Sequence, residues 1–165
     1  VVLRFGDYDL YHHGRIIIMT VERISWDKYW MEIAKLTALR STDPKHRVGC
    51  VIVNKDNTSV LSIGYNGDHK GGSNSRLSLE TGKSGFIHAE NNALIKMDYH
   101  NPCIKKIYVT LSPCYSCAQQ IINAGIREVI YLEEYSIDGI KILEDSGIQV
   151  GRYDEDDNVI YPPCV

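Results

Sequence analysis

The chain has 165 residues, 44% of them hydrophobic, enough to fill one compact core but too few to suggest several. Its formal net charge is −3 and no stretch is both long and strongly basic, which argues against a polynucleotide as the main ligand. No apolar run approaches the roughly 20 residues of a membrane span, so no membrane role is expected.

Residues 1–18 do not read as a secretory signal, because Arg4, Asp7, Asp9 and Arg15 interrupt the apolar runs. The first methionine is Met19. Residues 1–18 are read as an N-terminal extension, appended or from an upstream frame, with a native packing arm as the alternative. Residues 19–165 are expected to form a single domain. Ser25 is placed to cap a helix from about Trp26 to Leu39, with Trp26, Tyr29/Trp30, Ile33 and Leu36/Thr37 on its apolar face. Ser41-Thr42-Asp43-Pro44 ends it. Val48–Asn54 and Ser59–Tyr65 are β-rich runs, and Lys55-Asp56-Asn57-Thr58 between them signals a hairpin. Polar residues rich in Gly, Ser and Asn follow from Asn66 to Gly85, and a loop this long inside a compact domain is usually functional or mobile.

A second helix is predicted from near His88 to Met97, and Asn101-Pro102 breaks the chain after it. Lys106–Leu111 reads as a buried strand. Pro113 opens a third helix that ends near Gly125, with proline at the start and glycine past the end. Glu128–Leu132 reads as a strand, Ile137–Asp145 as a fourth helix and Ile148–Tyr153 as a last strand. Strands alternating with helices after residue 86 imply right-handed crossovers and a partly parallel sheet. The opening hairpin makes that α/β sheet mixed, with about five strands.

Chemistry concentrates in His88-Ala89-Glu90, followed by Pro113-Cys114-Tyr115-Ser116-Cys117. One imidazole and two thiols are three ligands for a tetrahedral zinc, which leaves an open position for water and marks a catalytic rather than a closed structural site. One zinc per chain is expected, because His12, His13, His69 and His100 are scattered without a C-x-x-C companion. Cys114 and Cys117 are three apart in a first helical turn, so both sulfurs share a face where unpaired N–H groups favour thiolates. A lone C-x-x-C would also suit a redox pair or half of a structural zinc site. Neither reading explains His88 and Glu90, and no second C-x-x-C completes four thiolates. Glu90 alone would pass for a first-turn acid complementing the helix dipole. Beside a zinc set it is placed as the proton carrier for the metal-activated water.

H-x-E…P-C-x-x-C is the established signature of zinc nucleobase deaminases. The chain resembles the cytidine/deoxycytidylate deaminase superfamily over about residues 24–150, and more narrowly the deoxycytidylate (dCMP) deaminases. Its narrower marks are Val48-Gly49-Cys50-Val51-Ile52-Val53, Gly64-Tyr65-Asn66-Gly67, His88-Ala89-Glu90-Asn91-Asn92-Ala93, Tyr108-Val109-Thr110-Leu111-Ser112-Pro113-Cys114 and Ile121-Ile122-Asn123-Ala124-Gly125-Ile126. The resemblance implies a three-layer α/β/α fold and zinc-dependent hydrolysis of dCMP to dUMP and ammonia, supplying dTMP synthesis. Deaminases of tRNA adenosine, of free cytidine or dCTP, or of a pterin or flavin precursor are the neighbouring alternatives. A non-catalytic zinc- and nucleotide-binding relative is the alternative from another class, and retention of Glu90 argues against it.

By the same resemblance Asn66 binds the sugar hydroxyl, the Ala89 N–H holds the base carbonyl and Ser112 lines the pocket beside the leaving amine. Tyr135 is placed near the pocket rim. Asn66 also reads as a left-handed turn residue, and Ser112 as a cap of the following helix. His46, Arg47, Lys70 and the Gly71-Gly72-Ser73 backbone are the donors available for a monophosphate, without a choice among them. The resemblance further implies a homohexamer activated by dCTP and inhibited by dTTP with magnesium, with Tyr65, Asn66 and Gly67 as the effector region. Two departures stand out: Cys50 replaces the usual alanine after Val-Gly, and Asp68-His69-Lys70 follows where relatives carry a hydrophobic residue and proline. Cys50, Cys103 and Cys164 show no disulfide-like spacing, so a reducing cytoplasm is expected, with Cys50 a buried hydrophobe.

Overall fold

The computed structural model describes residues 22–154 and 156–162. The expectation for 1–18, together with His12, His13 and Cys164, lies outside the described residues.

Helix α1 (Trp26–Ala38) starts as the sequence predicts, with the Lys28 N–H donating to the Ser25 hydroxyl at 3.1 Å. Its buried face is Trp30, Met31, Ala34, Thr37 and Ala38, rotated from the expected one: Trp26 and Leu36 are mostly exposed. Gly49 explains the rotation. A methyl group there would overlap the backbone at Ala34 and Ala38, so the helix comes closest to the sheet along its alanines, with Trp26 and Leu36 turned toward solvent.

A hairpin of β1 (Gly49–Asn54) and β2 (Val60–Tyr65) follows. Then come α2 (Ala89–Leu94), β3 (Lys105–Leu111), α3 (Tyr115–Asn123), β4 (Ile126–Glu133), α4 (Ile137–Asp145) and β5 (Gln149–Tyr153). A further strand, β6 (Val159–Ile160), was not expected; its two residues are too short to carry an alternating pattern. Helix α2 ends at Leu94 rather than Met97, because the N–H groups of Lys96 and Met97 turn back to the carbonyls of Ala93 and Leu94 in tighter turns. The sheet therefore has six strands, in the order β2-β1-β3-β4-β5-β6. Strands β3, β4 and β5 are parallel to one another, and β1 is antiparallel to both β2 and β3.

Side chains alternate across this sheet, as the period of two requires. Cys50, Ile52, Ile107, Val109, Val129 and Tyr131 face α2, α3 and α4, packing with Ala93, Ala118, Ile121 and Leu143. Val51, Val53, Tyr108 and Ile130 face the other way, against Trp30, Met31 and Ala34 of α1. The result is three layers, with the expected buried role for Cys50. The antiparallel pairing of β1 with β3 brings the start of β1, the end of β2 and the ends of β3 and β4 to one edge of the sheet. Open α/β sheets place their ligands at such an edge. No described helix is long and apolar enough to cross a membrane.

Candidate metal centre and active-site cavity

The starts of α2 and α3 meet at that edge. His88 caps α2 and Cys114 caps α3, both with extended backbone, and Cys117 lies in the first turn of α3. Cys114 thus sits one step before the helix, yet its sulfur lies with that of Cys117 beside His88. Ser62 of β2 donates to the Ala93 carbonyl at 2.7 Å, and Asn92 donates to the Tyr65 carbonyl at 2.9 Å, fastening α2 to the hairpin.

His88 Nδ1 lies 3.5 Å from the Cys114 Sγ and 3.3 Å from the Cys117 Sγ. Bond lengths of about 2.3 Å to sulfur and 2.0–2.1 Å to nitrogen, at a tetrahedral angle, require an N···S separation of about 3.5 Å. The donor set therefore fits zinc in both chemistry and spacing. The hydrogen bond from Cys117 holds the Cys114 thiol down to about 4, while the same contact and burial push Cys117 up. The His88 imidazole is pushed up by its bond with Cys114. A cation among these groups takes the place of the shared proton.

Glu90 is 4% exposed, two residues from His88 on the same helix. Burial pushes its carboxyl above the usual range, against the opposing pull of His88. It lines a cleft together with His88, Cys114, Asn66, Ala89, Ser112, Tyr135 and His46. Ala89 is the first residue of α2, where helix geometry leaves the N–H without an intrahelical acceptor.

Asn66 lies outside the left-handed region, so it is not a turn residue of that kind. Its Oδ1 accepts from the Val48 N–H at 2.8 Å, and its Nδ2 donates to the His46 carbonyl at 2.8 Å and to Asp43 Oδ2 at 3.2 Å. Ser112 does not cap α3, a place taken by Cys114. Its hydroxyl instead accepts from the N–H groups of Tyr135 and Ser136 at 2.8 and 3.0 Å, latching the end of β3 to the start of α4. Tyr135 stands edge-on to His46 with ring centroids 6.1 Å apart.

Of the donors considered for a phosphate, His46 faces the cleft; Arg47, Lys70 and Gly71–Ser73 do not line it. Tyr65 and Gly67 also lie outside its lining. The Tyr65 ring is covered by Lys96, and Gly67 exchanges backbone hydrogen bonds with Ile87.

Asp43, Lys45, Arg76, Thr81, Gly82 and Ser84 also line the cleft, with Val48 and Leu111. Sequence reasoning treated Asp43 as part of a helix stop and did not single out Arg76 within the polar 66–85 loop. Nothing in their spacing pairs them. In the fold they form an ion pair at 2.5 Å with side chains only 3% and 7% exposed. Burial pushes the Asp43 carboxyl up, but the Lys45 N–H and the Arg76 guanidinium more than offset this and hold it below the usual range.

A family model for the cytidine and deoxycytidylate deaminase zinc-binding region matches residues 24–133. The chain is 34% identical over 154 residues to the deoxycytidylate deaminase of Schizosaccharomyces pombe, covering 84% of this chain and 47% of that protein. It is 39% identical over 119 residues to the Homo sapiens deoxycytidylate deaminase, covering 67% of this chain and 66% of that one. It thus spans about half the length of the first relative and just under two thirds of the second. The dCMP deaminase of cyanophage S-TIM5, solved in complex with dCMP and dUMP, is similar with a TM-score of 0.67 and 32% identity, covering 76% of this chain and 94% of that one. Ligand set, carboxylate and sheet edge agree with these similarities, and the chain belongs to the cytidine and deoxycytidylate deaminase zinc-binding family.

Proposed function

We propose that this chain hydrolyses dCMP to dUMP and ammonia, providing the precursor of dTMP. The observation that carries the reading is the buried Glu90 carboxyl beside the His88, Cys114 and Cys117 cluster, on one wall of a cleft. The similarity to the cyanophage enzyme across most of its length supports the choice of substrate.

His88 Nδ1 and the thiolates of Cys114 and Cys117 would hold the zinc ion, whose Lewis acidity makes water a nucleophile near neutral pH. Glu90 takes up the proton that this water loses and delivers it to the ring nitrogen. It then carries the second water proton to the amine, which leaves as ammonia while the former water oxygen becomes the carbonyl of uracil. A raised carboxyl pKa suits a group that must be protonated and deprotonated in each cycle. The Ala89 N–H is assigned to the base carbonyl and Asn66 to the sugar hydroxyl. Ser112, its oxygen lone pairs engaged by Tyr135 and Ser136, keeps its hydroxyl proton for the amine side. Tyr135 and His46 form the rim, with His46 and Lys45 at the phosphate end.

Regulation by dCTP and by dTTP with magnesium, and assembly as a homohexamer, are carried over from the resemblance. Tyr65 and Gly67 lie beside the cleft rather than in it, which suits an effector contact that leaves the substrate in place. The free thiols of Cys50 and Cys103 suit a cytoplasmic setting, and the continuous sheet from 49 to 160 suits one deaminase domain over 19–165. The test is ammonia release from dCMP, CMP, deoxycytidine, dCTP and an adenosine-containing tRNA stem-loop. Release specific to dCMP supports the reading, and release from another member without dCMP contradicts it. Velocity against dCMP with each triphosphate added, and the mass in solution, test regulation and assembly.

A further inference from the structure

The loop from 66 to 85 is stitched to the segment before β1 by three contacts. Arg76 pairs with Asp43, Lys45 Nζ donates to the Leu79 carbonyl at 3.0 Å, and Thr42 Oγ1 donates to the Asn74 carbonyl at 3.4 Å. Asp43 is the buried node. Its Oδ1 accepts from the Lys45 N–H at 2.8 Å and the His46 N–H at 3.4 Å, and its Oδ2 is shared between Arg76 and Asn66 Nδ2.

This arrangement decides which way the Asn66 amide points. Its oxygen meets a backbone N–H, while its nitrogen meets a carbonyl and a carboxylate. Turning the amide over would set donor against donor at Val48 and acceptor against acceptor at His46 and Asp43. Both amide hydrogens are therefore committed to the protein. What Asn66 can still offer a ligand is the second lone pair on Oδ1, which receives a donor and rejects an acceptor. In a 2′-deoxy 5′-monophosphate, the one sugar hydroxyl that can donate is the 3′-hydroxyl.

We propose that Asp43, seated by Arg76, is a positioning residue that joins the Val48 N–H and the His46 carbonyl in fixing the Asn66 amide as an acceptor, so that the site selects nucleotides carrying a hydrogen-bond donor at the 3′ position. The inference rests on the assignment of Asn66 to the sugar hydroxyl. Arg76 acts one step further back, keeping the Asp43 carboxylate charged and in place.

The zinc-loaded enzyme is assayed on dCMP and on its 3′-amino, 3′-fluoro and 3′-deoxy analogues. The amino compound keeps kcat/KM within a few fold of dCMP, and the fluoro and 3′-deoxy compounds both fall by roughly tenfold through KM. A fluoro compound as good as dCMP would mean that Asn66 presents its N–H, and would overturn the proposal. Asp43→Asn is close in shape but places an amide where Arg76 and Asn66 need a carboxylate. It should contract the preference for dCMP over the 3′-deoxy compound toward one while zinc content is kept. Equal losses on both substrates would show a purely structural role. Asn66→Ala separates the two layers. A preference that survives Asn66→Ala refutes the sugar assignment, and one that collapses there but survives Asp43→Asn refutes only the role of Asp43. If Asp43→Asn does not fold, Arg76→Lys keeps the charge but loses the planar fork, and a contraction of the same preference is expected.

Discussion

Gly139→Ala separates local helix propensity from tertiary packing. Gly139 is the third residue of α4 and is buried against the backbone of Pro113 and Cys114. Propensity alone favours alanine there, by about 1 kcal/mol. The structure opposes it, because the added methyl would overlap the Pro113 carbonyl oxygen and crowd the Pro113 and Cys114 carbonyl carbons, all of which are backbone. Helix α4 must then retreat by roughly an ångström, at an overpacking cost of about 1–3 kcal/mol. Set against the propensity gain, the net loss is up to about 2 kcal/mol, which for a chain of this size lowers Tm by up to about 8 °C. Because Cys114 follows Pro113 directly, the displacement also reaches a zinc ligand, and zinc should be lost to a chelator at a lower chelator concentration. Thermal melting with and without zinc, together with the metal content, reads both effects. A Tm raised by the roughly 2–4 °C that helix propensity alone predicts would refute the packing argument.

Two further outcomes follow from the buried polar contacts. Ser112→Ala removes the acceptor shared by the Tyr135 and Ser136 N–H groups, and should lower stability by about 2 kcal/mol in urea unfolding. Asp43 has a folded pKa below its unfolded value of about 3.9, so its contribution is present above that pH and is lost as the pH falls through the folded value. Stability of the wild type should therefore fall more steeply as the pH drops below about 4 than that of Asp43→Asn, which is the less stable of the two at neutral pH.

Much of this fold is legible in the residues. Long buried strands such as Lys105–Leu111 and a helix start marked by Ser25 carry strong local signals. The cluster of His88, Cys114 and Cys117 and the nearby Glu90 were visible because metal-binding chemistry calls for particular residue types at short spacing. What stayed hidden depends on contacts between distant segments. The buried face of α1 was set by Gly49, a residue outside the helix, and no periodicity within the helix reports it. The Asp43–Arg76 pair spans a loop whose composition is polar throughout, so burial of two particular charges leaves no local trace. Ser112 was read against the helix that follows it, whereas its hydroxyl serves the start of the next helix in the chain. The extra strand β6 depends on its register against Arg152 and Tyr153.

Replacing Glu90 with glutamine isolates the proton carrier from the metal site, since the amide keeps the shape of the side chain but cannot shuttle a proton. Bound zinc per chain and ammonia release from dCMP are measured on the same preparation. Zinc content should stay at one per chain while turnover falls by about 10²–10⁴-fold. Turnover near that of the wild type with zinc retained would show that Glu90 is not the proton carrier, and joint loss of zinc and fold would assign it a structural role instead.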